Sequence, residues 1–152
     1  MSSIIFDEVF ELRQLNPGGK RYEKVNRLSC KATTCDVDMI IDVNNELFQL
    51  KEGEKVSIAL ATTLNLDGTP DTGLYEPHPG ETLMNNYDYV MHGRVFNIEQ
   101  QKEDTVDIHL SFGGLLMQLC GEQSQLELIQ PDMKIYLLMR SGAVDYAMQI
   151  DS

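Results

Sequence analysis

Apolar and polar residues alternate with a period of two along much of this chain. Val37, Met39, Ile41 and Val43 alternate with Asp36, Asp38, Ile40 and Asp42, the pattern of a strand with one buried face. Val56, Ile58, Leu60, Thr62 and Leu64 repeat it, as do Val106, Ile108, Leu110 and Phe112, with Asp107, His109 and Ser111 opposite. Met133, Ile135, Leu137 and Met139 make a fourth run, and Tyr89 to Ile98 a fifth, in which Gly93 is predicted as a bulge or bend. Phe6 to Leu12 fits a strand better than an opening turn of helix. Turn residues separate these runs, among them Asn16-Pro17-Gly18-Gly19, Asp67-Gly68 and Gly113-Gly114. The one helical stretch is Glu122 to Ile129, ended by Pro131. Short strands with such punctuation predict an all-β sandwich or barrel.

Residues 65–86 break the rhythm. Pro70, Pro77 and Pro79 with Gly68, Gly73 and Gly80 predict a long irregular loop. It is acidic: Asp67, Asp71, Glu76, Glu81 and Asp88 fall between Lys55 and Arg94, where no Lys or Arg occurs. Two readings stand, a solvated loop and a clamp onto a basic partner. The expected organisation is one domain over residues 1–140 and a tail over residues 141–152.

Composition narrows the function. A chain of 152 residues with 42% apolar content can build one core. The formal net charge of −12 repels phosphate, so tight autonomous nucleic-acid binding is not expected. No basic, apolar leader opens the sequence and no stretch is long and apolar enough to span a bilayer. A soluble intracellular protein, with Cys30, Cys35 and Cys120 reduced and no membrane partner, is expected.

Catalytic chemistry finds little to use. Cys30 and Cys35 have no second ligand pair, and His78, His92 and His109 are scattered, so no metal is expected. No Gly-x-Ser-x-Gly elbow occurs, and Asp107 with His109 falls on the predicted solvent face of a strand. Asn16 to Arg21 is Gly-rich and basic but lacks the Walker spacing. Neither a catalytic residue nor a cofactor is expected.

Two segments remain as candidate sites. Lys20, Arg21, Lys24, Arg27 and Lys31 form a basic stripe with Tyr22 as its one ring. It faces solvent or an acidic partner, or else contacts nucleic acid weakly, since a single-strand groove usually adds several stacking rings. Phe112, Gly113, Gly114, Leu115, Leu116 and Met117 open an almost unbroken apolar run to Gly121. Both faces of that run are predicted to be buried, under a loop, a helix or another protein.

On these residues the chain resembles the small subunit shared by the eukaryotic nuclear RNA polymerases I, II and III, the RPABC3 family. Phe112-Gly113-Gly114-Leu115-Leu116-Met117 and Tyr136-Leu137-Leu138-Met139 carry the likeness. So do Arg27-Leu28-Ser29-Cys30, Met39 to Asn44, Ala61 to Leu64 and Tyr89 to Val95. The resemblance implies an eight-stranded antiparallel barrel related to the oligonucleotide-binding fold. It further implies a non-catalytic, metal-free subunit that supports transcription and assembly by docking on the largest polymerase subunit. Residence in the nucleus, in nucleoplasm and nucleolus, follows from the same likeness. The partner interface is expected at Phe112 to Met117, with Leu115→Asp weakening incorporation. The rival from another class is a free single-stranded nucleic-acid-binding module using the basic stripe.

Overall fold

Strand alternation becomes structure directly in the computed structural model, which describes residues 4–17, 24–64 and 86–142. The acidic loop (apart from Asn86), the tail beyond Gly142, and Lys20 and Arg21 of the basic stripe lie outside the described residues. Eight strands follow in order: β1 (Ile4–Leu15), β2 (Val25–Ala32), β3 (Val37–Asn44), β4 (Lys55–Ala61), β5 (Tyr89–Gln100), β6 (Thr105–Phe112), β7 (Leu115–Glu122) and β8 (Lys134–Ser141). They close into a barrel in the order β1-β2-β3-β7-β6-β5-β8-β4, with every neighbouring pair antiparallel. Closure removes free sheet edges, which would otherwise invite aggregation.

The inward residues are those the alternation predicts. Val37, Met39, Ile41 and Val43 of β3, Ile108 and Leu110 of β6, and Ile135, Leu137 and Met139 of β8 share one core. Phe48 and Leu50, on the connection after β3, join that core near one mouth of the barrel. Leu126 and Ile129 join it near the other, where the predicted helix shrinks to the single turn α1 (Gln123–Leu126). Side chains therefore fill the interior, as small barrels require.

Two backbone details differ from expectation. Gly93 carries no bulge; a Cβ there would meet the Ser111 carbonyl oxygen at 2.0 Å and Phe112 Cδ1 at 2.6 Å, so close packing demands glycine. The bulge falls instead between Val95 and Asn97. It lets Phe96 and Asn97 both lie outside while Val95 and Ile98 pack inward.

Gly113 and Gly114 form a two-residue turn with φ of 64° and 100°, both in the left-handed region a tight hairpin needs. Phe112 pairs with Leu115 across it. The apolar run is thus the end of β6 and the start of β7, divided at the turn that Gly113-Gly114 predicts. Its faces differ: Phe112 and Met117 are buried, Leu115 is half-buried against the core, and Leu116 is exposed. Within the free chain, then, no described loop or helix covers Leu116, which leaves another protein as the cover that the run predicts for its second face.

Candidate interaction surface

The outward residues of β2, β3, β7, β6 and β5 build one surface. Ile40 lies opposite Gln118, Gln118 opposite His109, and His109 opposite Asn97, in the register of four successive strands. Phe96, pushed outward by the bulge, sets its ring 5.9 Å from the His109 ring. Between them a cavity of about 400 Å³ opens on the barrel wall, lined by Arg27, Ile40, Phe96, His109, Leu116 and Gln118 among others.

A part-buried ion pair borders one end, where Arg27 lines the cavity. Asp42 is almost fully buried although it points away from the core. Arg27 donates to it twice, from Nε to Oδ1 at 2.7 Å and from Nη2 to Oδ2 at 3.1 Å. The Leu116 N–H donates to the same Oδ2 at 3.1 Å. A two-pronged guanidinium contact plus a backbone donor satisfies this carboxylate well. The bonds tie β2, β3 and β7 together directly under Leu116.

Five large apolar side chains are exposed among the described residues. Three of them, Phe96 at 56%, Leu116 at 45% and Ile40 at 37%, line this one groove. Scattered exposed apolar residues are ordinary, whereas a contiguous group marks a contact surface.

The described part of the basic stripe is dispersed. Arg27 is committed to Asp42, Lys31 lies 3.6 Å from Asp36 and 3.9 Å from Asp38, and Lys24 is exposed in the turn before β2. Arg27 and Lys31 stand four residues apart on one strand, about 13 Å, each beside carboxylates. That arrangement offers a phosphate backbone little net attraction.

Asp107 and His109 share the outer face of β6, but Asp107 accepts a 2.7 Å hydrogen bond from Gln101 Nε2 and His109 faces Phe96. No hydrogen bond joins the two among the described residues, so no dyad forms. The thiols are unsuited to nucleophilic work. Burial pushes Cys30 up to about 12, and burial, followed by the Glu8 carboxylate, pushes Cys35 up to about 11. Cys120 is raised to about 11, first by its hydrogen bond with Asp107 and then by desolvation. All three are protonated near neutrality. Among the described residues no cluster of His, Cys, Asp and Glu is placed to hold a metal.

Sequence reasoning found Leu116 and Arg27 but missed Ile40 and Phe96. A signal existed for each. Ile40 is the apolar residue on an outward face otherwise carrying Asp38 and Asp42. Phe96-Asn97-Ile98 breaks the β5 alternation where the bulge lies.

The family described as RNA polymerase Rpb8 matches residues 7–141. The chain is 40% identical over 144 residues to a Caenorhabditis elegans protein named "Probable DNA-directed RNA polymerases I, II, and III subunit RPABC3", covering 92% of this chain and 97% of that one. It is 40% identical over 139 residues to the Arabidopsis thaliana "DNA-directed RNA polymerases II, IV and V subunit 8B", covering 90% of this chain and 95% of the relative. Against the Saccharomyces cerevisiae "DNA-directed RNA polymerases I, II, and III subunit RPABC3" identity is 35% over 148 residues, covering 92% and 99%.

Proposed function

The chain belongs to the RNA polymerase Rpb8 family, and from that premise we propose that it works as a non-catalytic subunit shared by RNA polymerases I, II and III. The observation that carries the reading is collinear identity, 40% over 92% of this chain and 97% of the Caenorhabditis elegans subunit. The filled barrel suits the role, because a core packed with side chains offers a rigid outer wall. The subunit works in the nucleus, in nucleoplasm and nucleolus, wherever the three enzymes act.

Its direct partner is the largest polymerase subunit, and the contact surface includes the β6–β7 hairpin from Phe112 to Met117. Leu116 is the residue of that segment that presents apolar surface outward. Leu115 packs on the core, so Leu115→Asp would report folding and Leu116→Asp is the sharper probe. The charge of −12 and the carboxylate-paired cations support protein over nucleic-acid contact.

Purification through a tag on the full chain tests the reading. The largest subunits of all three polymerases should be recovered in comparable yield with it. Recovery of the chain alone, or with proteins unrelated to transcription, would refute it. Titration with labelled single-stranded oligonucleotide at two salt concentrations should show no tight, salt-steep binding.

A further inference from the structure

Three rows of outward side chains cross β2, β3, β7, β6 and β5, and their charge changes from row to row. Nearest the β6–β7 hairpin run Arg27, Asp42, Leu116, Ser111 and Arg94, continuing to Lys134 on β8. The middle row is Ser29, Ile40, Gln118, His109 and Asn97. The third row is Lys31, Asp38, Cys120, Asp107 and Glu99.

Arg27 and Asp42 neutralise each other, which leaves Arg94 and Lys134, both exposed, as the charge of the first row. In the third row Lys31 offsets one carboxylate, leaving the row acidic. The first and third rows stand about 13 Å apart, measured along the strands. The groove spans the first and middle rows, from Leu116 to Ile40 with Phe96 beside Asn97 on β5. Arg94 and Lys134 extend the first row at its basic end, and the acidic third row lies next beyond Ile40 as the opposite bank.

We propose that this groove seats an extended segment of another polymerase subunit, which inserts an apolar side chain between Ile40, Phe96 and Leu116, an acidic one toward Arg94 and Lys134, and a basic one toward Asp38, Asp107 and Glu99. The inference rests on the reading of the chain as a polymerase subunit. Opposed charge banks fix the direction in which a segment can lie, because the reversed peptide meets like charge at both ends. A nucleic acid fits less well, since its phosphates would run within reach of the acidic bank. A second copy fits less well too, because two chains of net charge −12 repel each other.

The experiment compares tagged full-length variants by the amount of polymerase that co-purifies. Phe96→Asp should lower recovery at least about tenfold, as loss of a central apolar anchor does. Arg94→Glu and Glu99→Lys should each lower it several-fold. Leu128→Asp, at an exposed apolar residue outside the groove, should leave recovery unchanged. The purified Phe96→Asp chain should melt at the wild-type temperature, which separates docking from folding. Full recovery with Phe96→Asp while the wild-type chain recovers polymerase overturns this inference alone. Failure of the wild-type chain to recover polymerase overturns the subunit reading and this inference with it. A wild-type dimer that Phe96→Asp converts to monomer, or oligonucleotide binding that Phe96→Asp abolishes, would assign the groove to another occupant and overturn the proposal.

Discussion

Two parts of the outer barrel wall carry apolar side chains and treat them in opposite ways. Along β4 and β8, Ala59, Ala61 and Leu138 form a cluster separate from the core and are fully buried, with Ile4, Leu64, Tyr87 and Val90 packed against them. Along β3, β7 and β5, Ile40, Leu116 and Phe96 also point away from the core, yet they remain exposed around an open groove. One wall is closed by the chain's own residues. The other is supported by the Arg27–Asp42 pair and the bulge at Phe96, but no described residue covers it. A surface that is held in shape and left open is what a docking subunit needs, because little ordering entropy remains to be lost on binding.

The contrast can be broken in four ways, in decreasing order of effect. Leu138→Ala should destabilise the free chain by about 3 kcal/mol, within the range for deleting a buried leucine side chain. Chemical denaturation would measure it, and a value near zero would mean the covered wall does not contribute to the fold. Asp42→Ala comes next, at about 2 kcal/mol, because it strands the Leu116 N–H and removes the anchor of Arg27. The same denaturation curve reads it, and polymerase recovery should fall alongside. Leu116→Ala, an exposed counterpart of Leu138, should change stability by less than about 0.5 kcal/mol while still reducing recovery.

The smallest effect is a pH dependence at the edge of the covered wall. Asp7 sits opposite Ala59, and its pKa is raised by desolvation, then by the Glu8 carboxylate, against a lowering contribution from Arg140. A raised carboxyl favours the folded state below the unfolded pKa, and that contribution is lost as pH rises through the folded value. Asp7→Asn should therefore be slightly more stable than wild type at about pH 7, with the difference vanishing at about pH 3, below the ordinary carboxylate range. Denaturant midpoints at the two pH values check the sign, and a variant less stable at neutrality would reverse it.

Much of the fold was legible because β3, β6 and β8 alternate strictly. β2 was less so, since its interior residues Cys30 and Ala32 are small and its outward Arg27 and Lys31 drew attention as a charge stripe. The Gly113-Gly114 turn was legible and became a tight hairpin. Which faces of the apolar run meet the core was not, because that depends on how β7 pairs with β3 and β6. The groove was half legible. Leu116 was named only as one residue of that run, with Leu115 singled out for substitution, and Ile40 and Phe96 reach the groove only through pairing of β3 with β7 and β5 with β6, because long-range register is not written locally.

Hydroxyl-radical footprinting of side chains, with the full chain free and then incorporated in polymerase, tests the open-wall account most directly. Phe96, Leu116 and Ile40 should react readily in the free chain and become protected in the complex, while Leu138 stays unreactive in both. Undiminished reactivity of Phe96 and Leu116 within the assembled polymerase would contradict it.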